Sequence, residues 1–383
     1  MRILRKGIPF LLAAVLGLAV MVDPARTAAA PSVSAASSVL MEQSSGRVIF
    51  AKNAHEKMRI ASITKIMTAI LAIESGKLDE KSKVSKRAVY TEGSSIYLQE
   101  GEKIKLEDLV YGLMLRSGND AAVAIAEMVG GSVEGFAHLM NEKAAQIGMT
   151  NTVFSNPHGL DDHEEHYSTA YDMALLTKYA MQNETYRKIS GTVRHTAPNP
   201  NEEWDRKWKN KNKLVTGMYE FSTGGKTGYT KRARRTLVST ATKGGSDMIC
   251  VTLDAPDDWQ DHMNLFNWGF KEYKIYRIAE KGGLEDIDNP FYKGHVLIKR
   301  DVTYPLTDEE KQKLRVSVSL RSDYDKSWEK SRQQIKAGKL TVFLEDGEIL
   351  SVPVYYTAEE VKRTWWESFT KSLFSLNGAG YHG

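Results

Sequence analysis

The hydrophobic period changes along this 383-residue chain, and the change sets the order of its parts. Ile63, Ile66, Met67, Ile70 and Ile73 recur at three- and four-residue steps, the spacing of one helix face. Far downstream, Leu340, Val342 and Leu344 alternate, as do Leu350, Val352 and Val354. Between these two runs lies Glu345-Asp346-Gly347-Glu348, whose Asp-Gly is a strong hairpin signal. The expected class is α+β: a mixed, helix-rich first part, then a small all-β domain with one buried face.

The rest of the pattern fills in that plan. Two short strand-like runs at 38–41 and 47–51 flank a Ser44-Ser45-Gly46 turn. Helical stretches are expected at 106–115, 121–129 and 133–147, and a capping-box-like Thr169-x-x-Asp172 opens another that runs to about 181. Residues 192–212 are polar and charged, with Pro198 and Pro200, and read as an exposed excursion. Strand character returns at 236–242 and 248–253, and within the β domain at 295–298, 314–320, 339–344 and 349–355.

At the amino terminus, Arg2, Arg5 and Lys6 precede an apolar run at 8–22 and a small-residue stretch at 25–36. Charged, apolar and cleavable parts in that order describe a secretory signal peptide, taken as residues 1–30, and an exported protein. The apolar run is short for a spanning helix; an uncleaved anchor is the other reading. A net charge of +4 is mild for this length, and no basic run is interleaved with aromatics, so nucleic acid is not an expected partner. Cys250 is the only cysteine, which excludes an intrachain disulfide and a cysteine zinc site. It lies in an apolar run and reads as a buried strand residue.

Three short elements carry chemistry. Ser62-Ile63-Thr64-Lys65 is a Ser-x-x-Lys element at the start of the periodic helix. Unpaired N–H groups and the helix dipole there favour developing negative charge, and three residues along a helix bring Lys65 to the face of Ser62. A serine hydroxyl needs a base within hydrogen-bond reach, and lysine serves only if burial or a nearby cation lowers its pKa. The same spacing recurs at Ser327–Lys330 and Ser368–Lys371, so context separates the three. Ser117-Gly118-Asn119 lies between two helices, 52 residues after Lys65, and Ser375–Asn377 repeats its spacing. Lys226-Thr227-Gly228 occurs once, 107 residues after Asn119, between Gly224-Gly225 and a strand. A lysine and a hydroxyl on a strand edge suit a substrate carboxylate, and the glycine admits a close backbone. Taken singly, the three read equally well as a polar helix start, a turn and a glycine-rich bend; the ordered set is far rarer.

With these elements, RIASITKIMTA at 59–69, LVYGLMLRSGNDAAVAIAE at 109–127, MNEKAAQIGMTNTVFSNPHGLD at 140–161, and the segments 167–174 and 225–230 resemble low-molecular-weight penicillin-binding proteins, the D-alanyl-D-alanine carboxypeptidases. The likeness spans roughly 37–270, and the β domain and tail match that family's layout. The wording at 156–174 and 254–264 is most similar to the sporulation-specific carboxypeptidases of Bacillus-type bacteria. The resemblance implies a penicillin-binding, transpeptidase-like domain over 31–273, an antiparallel sheet flanked by helices, and a β-sandwich-like domain over 274–357. It implies removal of the terminal D-alanine from peptidoglycan pentapeptides ending in D-Ala-D-Ala, inhibition by β-lactams, and neither cofactor nor metal. Ser62 would be acylated, Lys65 would be the base, and Ser117 would relay a proton to the leaving amine. Asn119 would bind the peptide, Lys226, Thr227 and Gly228 the terminal carboxylate region, and the backbone N–H groups of Ser62 and Tyr229 would form the oxyanion hole. One departure stands out: many relatives carry an arginine after the strand that holds Cys250, whereas 255–261 reads APDDWQD.

Rival readings are a class A β-lactamase, which needs a Glu-x-x-Leu-Asn element absent between Asn119 and Lys226, and a penicillin-binding sensor or non-catalytic wall-binding protein. The run Asp161-Asp162-His163-Glu164-Glu165-His166 lacks the spacing of zinc proteases and reads as a solvated loop. Finally, Val361, Trp365, Phe369 and Leu373 recur every four positions, with Trp366 beside them. Arg363, Thr364, Glu367 and Lys371 take the other side, and Lys362 sits at the apolar edge. Such a helix, too short to span a bilayer, suits the headgroup layer and makes residues 358–383 a membrane-associating tail; packing on the β domain is the alternative.

Overall fold

A computed structural model describes residues 29–199, 202–285 and 287–361. The signal segment, apart from its last residues, and the tail from 362 onward lie outside the described residues, as do the repeats Ser368–Lys371 and Ser375–Asn377.

The first part is organised by a five-stranded antiparallel sheet. Its spatial order is Val48–Lys52, Ser37–Glu42, Ser246–Leu253, Arg234–Lys243, Ser222–Thr230. The Ser44-Ser45-Gly46 turn closes the first hairpin as expected, and buried Glu42 accepts from the backbone of both serines. Ser246–Leu253 is central and almost wholly buried, and Cys250 is buried within it. The Ser222–Thr230 strand lies at one edge, so one side of its backbone has no sheet neighbour.

Each face of the sheet is covered. On one face packs the helical lobe: Lys65–Glu74, Leu106–Tyr111, Asn119–Gly130, Val133–Gln146 and Ala170–Ala180. Helix Lys65–Glu74 is apolar nearly all round and runs through the middle of this core, which explains its continuous burial. Thr169 caps the Ala170–Ala180 helix through the Asp172 N–H, as the sequence indicates. On the other face lies Asp258–Glu272, which buries Leu265 and Phe266 against Leu40, Leu237 and Cys250.

A second hydrophobic core gathers Tyr292, Val296, Leu340, Val342, Val352, Val354 and Tyr356. Leu314–Leu320, Ile335–Leu344 and Gly347–Tyr356 form an antiparallel meander, the last two joined at the Asp346-Gly347 turn. The strands Lys274–Ala279 and Val302–Leu306, which also pair, do not follow from the sequence pattern. Arg47, at the first hairpin, joins the two cores. Its guanidinium lies about five ångströms from the Tyr273 and Tyr304 rings (5.1 and 5.3 Å) and donates to Glu310 and the Pro305 carbonyl.

The expectation of an exposed excursion at 192–212 needs correction. Arg194–Ala197 and Arg206–Lys209 pair as a hairpin that turns one face inward. His195 stacks on Tyr111 at 3.7 Å and meets Asp108 Oδ1 at 2.7 Å, and buried Arg206 donates to buried Glu102. The polar composition hid a face in which each charged group meets a partner of the helical lobe.

Candidate active site

Ser62 lies one turn earlier than the helix start proper, in a 3₁₀ turn at Ala61–Thr64; the α-helix begins at Lys65. In a 3₁₀ turn, side chains at i and i+3 eclipse. Lys65 Nζ accordingly donates to Ser62 Oγ at 2.9 Å. Its remaining donors go to Asn119 Oδ1 at 2.7 Å and the His158 carbonyl at 2.7 Å. All its contacts are thus neutral acceptors, and no carboxylate is among them. Ser62 itself is half-buried, between the core and the open edge.

Ser117 follows a wide π-type turn at Gly112–Arg116 and takes a left-handed conformation at φ 66°. A non-glycine residue held there is strained by roughly 1 kcal/mol or more, a cost met at functional sites. The conformation ends one helix and begins the next at Asn119. It also turns Ser117 Oγ toward Lys226, whose Nζ donates to it at 3.1 Å. Behind them, buried Asp120 accepts from the N–H groups of Ile96 and Leu98 and from Ser95 Oγ at 2.6 Å. Asn119 Nδ2 donates to the Glu92 carbonyl. The 92–98 loop is thereby latched beside the site.

The third element lies on the edge strand. Lys226 pairs in register with Val238 and Gly228 with Thr236. Strand alternation sends Lys226 and Gly228 toward Ser62 and the helical lobe, and Thr227 and Tyr229 the other way. A Cβ at Gly228 would fall 2.9 Å from Ser62 N and 2.3 Å from Thr236 Oγ1, so only glycine lets the strand close on the serine's amide. Across the groove, Gly159 has φ +84°, and a Cβ there would strike the Ala61 carbonyl at 1.9 Å.

Burial and like charge set the electrostatics. Lys65 is held well below the ordinary lysine range, first by burial, then by the cations of Lys226 and Lys211; Asp120 pulls the other way. Lys226 is lowered to about 7, by burial and then by Lys211. A neutral amine 2.9 Å from a serine oxygen is a general base in place. The arrangement can carry an acyl transfer: a nucleophile with its base, a second hydroxyl tied to a second lysine, and an open strand edge for a peptide.

The profile of the D-alanyl-D-alanine carboxypeptidase family, peptidase S11, matches residues 24–257. The D-alanyl-D-alanine carboxypeptidase DacF of Bacillus subtilis is 31% identical over 352 residues, 88% of each chain. This chain belongs to the D-alanyl-D-alanine carboxypeptidase family. The C-terminal domain of penicillin-binding protein 5 matches residues 291–363. The carboxypeptidase DacC of Escherichia coli is 36% identical over 275 residues, covering 65% of this chain and 64% of its own. Among solved structures, penicillin-binding protein 5 of Haemophilus influenzae superposes with a TM-score of 0.71 at 25% identity, over 88% of this chain and 99% of its own. The fold class expected from the sequence is therefore present, transpeptidase-like domain and β domain alike; enzymes of this family act on peptidoglycan, outside the cytoplasm.

Of the residues singled out in the sequence of this carboxypeptidase, Ser62, Lys65, Asn119, Ser117 and Lys226 form one chain of hydrogen bonds. Thr227 and Tyr229 border it on the edge strand. Ser327, of the repeated Ser-x-x-Lys, lies far along the chain in a short 3₁₀ turn whose residues are not buried. Sequence reasoning missed Lys211, the third cation, which donates to Ser94 Oγ at 3.3 Å, and it missed the His158 carbonyl. A backbone acceptor leaves no mark in composition.

The Asp161–His166 run is a solvated loop only in part. Asp162 to Glu165 are exposed, but His166 is buried: Nδ1 accepts from the Ser155 N–H, and Nε2 therefore donates to Thr64 Oγ1 at 2.9 Å. Among the described residues, no group of three or more metal-type side chains comes together. Burial lowers His158 and His262 to about 3 and His166 to about 4. Unfolding frees all three to titrate near 6.5, so between that pH and the folded values the unfolded chain binds more protons and stability falls as pH falls. Between pH 6.5 and 5, ordinary carboxylates are still ionised, and the histidines dominate. The melting temperature is expected to drop across this window and to drop less in His262→Asn; a flat profile would contradict the buried neutral imidazoles.

Proposed function

We propose that Ser62 is the nucleophile, Lys65 its base, and Ser117 with Lys226 the proton relay of this serine-type D-Ala-D-Ala carboxypeptidase. The observation that carries the reading is Lys65 Nζ, fully buried, depressed in basicity and 2.9 Å from Ser62 Oγ. Ser62 Oγ attacks the penultimate D-alanine carbonyl while its proton passes to Lys65. The oxyanion is received by the N–H groups of Ser62 and Tyr229, a placement favoured by the close approach of Gly228 to the Ser62 amide. As the C–N bond breaks, Ser117 donates a proton to the departing D-alanine amine and recovers one from Lys226. Water then attacks the acyl-enzyme with Lys65 again as base. Asn119 orients the peptide, and Lys226, Thr227 and Gly228 line the place of the terminal carboxylate. β-Lactams enter by the same acylation and leave slowly.

Digestion of purified pentapeptide muropeptides, followed by mass spectrometry, tests the reaction. Loss of one alanine supports it. A cross-linked dimer as product would mean transpeptidation, cleavage of a dimer would mean endopeptidation, and no reaction despite penicillin binding would favour the sensor reading.

Three finer readings complete the proposal. The chain divides into a signal at 1–30, a catalytic domain at 31–273, a β domain at 274–357 and a tail at 358–383; the two separate cores support the middle two. The relationship to the B. subtilis carboxypeptidase supports action on spore peptidoglycan, limiting cross-linking. The tail's aromatic face and flanking cations support attachment to the outer face of the membrane. No helix among the described residues is long and apolar enough to cross one. Truncation after Thr357 is expected to move the enzyme from the membrane fraction to the soluble one with penicillin binding retained. If the truncated protein stays with membranes, the signal segment is the anchor; if it unfolds, the tail belongs to the core.

A further inference from the structure

We propose that Arg235 is the residue that holds the substrate's terminal carboxylate, standing in from the neighbouring strand for the arginine missing at 255–261. The inference rests on the reading of Ser62 as the nucleophile of a D-Ala-D-Ala carboxypeptidase.

Strand register places it. Tyr229 on the edge strand pairs directly with Arg235 on the next, and Thr227 pairs with Leu237. Directly paired residues share a face, and diagonal neighbours such as Thr227 and Arg235 have Cβ atoms roughly 7–8 Å apart or less, within reach of a long side chain. Lys226 and Gly228 point at Ser62, so Thr227 and Tyr229 occupy the opposite face. Leu237, packed in the core with Leu265 and Phe266, puts Arg235 on that face too. Thr227 and the Arg235 guanidinium thus flank the same stretch of open strand edge.

The surroundings are those of an arginine held for use. Asp258, buried at the start of the Asp258–Glu272 helix, takes Nη2 at 2.5 Å, and the Trp259 ring lies 5.7 Å from Cζ. Asp258 falls inside the segment where the family arginine is missing. A carboxylate there and an arginine on the adjacent strand put the cation back in the same neighbourhood with the two charges exchanged. The side chain is 42% exposed, and its Nε has no hydrogen-bond partner among the described residues. A planar fork with one corner fixed and another donor unspent suits a carboxylate.

The other nearby cations are engaged. Lys226 donates to Ser117 and the Thr227 carbonyl, and Lys211 donates to Ser94. Lys226, lowered to about 7, also gives up much of its charge at neutral pH, whereas an arginine keeps it.

The test compares ligands with and without the carboxylate in the full-length enzyme. Arg235→Gln is expected to lower kcat/KM for a diacyl-D-Ala-D-Ala peptide, and the acylation rate by benzylpenicillin, by about 10- to 100-fold. Acylation by benzylpenicillin methyl ester, slow in the parent, should be unchanged. The double exchange Arg235→Asp with Asp258→Arg should recover most of the loss, while Arg235→Asp alone should be at least as impaired as the glutamine variant. Equal losses for acid and ester, or no loss for either, overturn the proposal, as does an exchange with no recovery in a variant shown folded by circular dichroism. If the parent enzyme takes up penicillin yet releases no D-alanine, the carboxypeptidase reading fails, and the acid and ester pair still decides Arg235.

Discussion

Acylation of Lys65→Arg by benzylpenicillin is expected to be slower than that of the parent by about 100-fold or more, with circular dichroism and melting temperature little changed. Arginine keeps a cation on the same helix face but cannot give up its proton at a working pH. The parent's advantage is that burial, together with Lys226 and Lys211, holds Lys65 well below the usual lysine range. Its acylation rate should therefore fall on the acid side as Lys65 takes up a proton, and the arginine variant should lack that limb. Near-normal acylation by a folded arginine variant would remove Lys65 as the base.

Lys226→Met should separate activity from stability. Activity on D-Ala-D-Ala peptides is expected to fall by about 100-fold or more, because Ser117 loses its proton partner and the substrate loses a cation. Stability should rise. Lys226 is fully buried with its pKa lowered to about 7, against an ordinary lysine value of 10.5. Between those limits the unfolded chain binds the proton more readily, so the lysine burdens the folded state most below pH 7 and least near pH 10. A methionine of similar length removes that burden. Its gain in melting temperature should thus be larger at pH 6 than at pH 10. A variant that is less stable at both pH values would contradict the account of Lys226 as a strained functional cation, as would one that keeps its activity.

The same tension explains what could be read in the sequence. Helix Lys65–Glu74 and the hairpin of Ile335–Leu344 with Gly347–Tyr356 announce themselves because burial imposes a period on apolar residues. The catalytic side chains announce themselves by type and spacing, although each triplet alone recurs or reads as an ordinary turn. What stayed hidden belongs to other classes. The His158 carbonyl is backbone, and Lys211 lies in a polar stretch where another lysine carries no signal. His166 sits in a run of charges and is nonetheless buried, because its two ring nitrogens are both satisfied. The hairpin of Arg194–Ala197 with Arg206–Lys209 buries its inward face through paired polar groups, which a hydrophobic period does not register.

The central claim is that an acyl group is carried on Ser62. Trapping the enzyme with benzylpenicillin, digesting with trypsin and sequencing the adduct by mass spectrometry tests it directly. The account predicts the penicilloyl mass on Ser62 within the Ile60–Lys65 peptide and no adduct in Ser62→Ala. An adduct on Ser117, on any other peptide, or persisting in the alanine variant would contradict it.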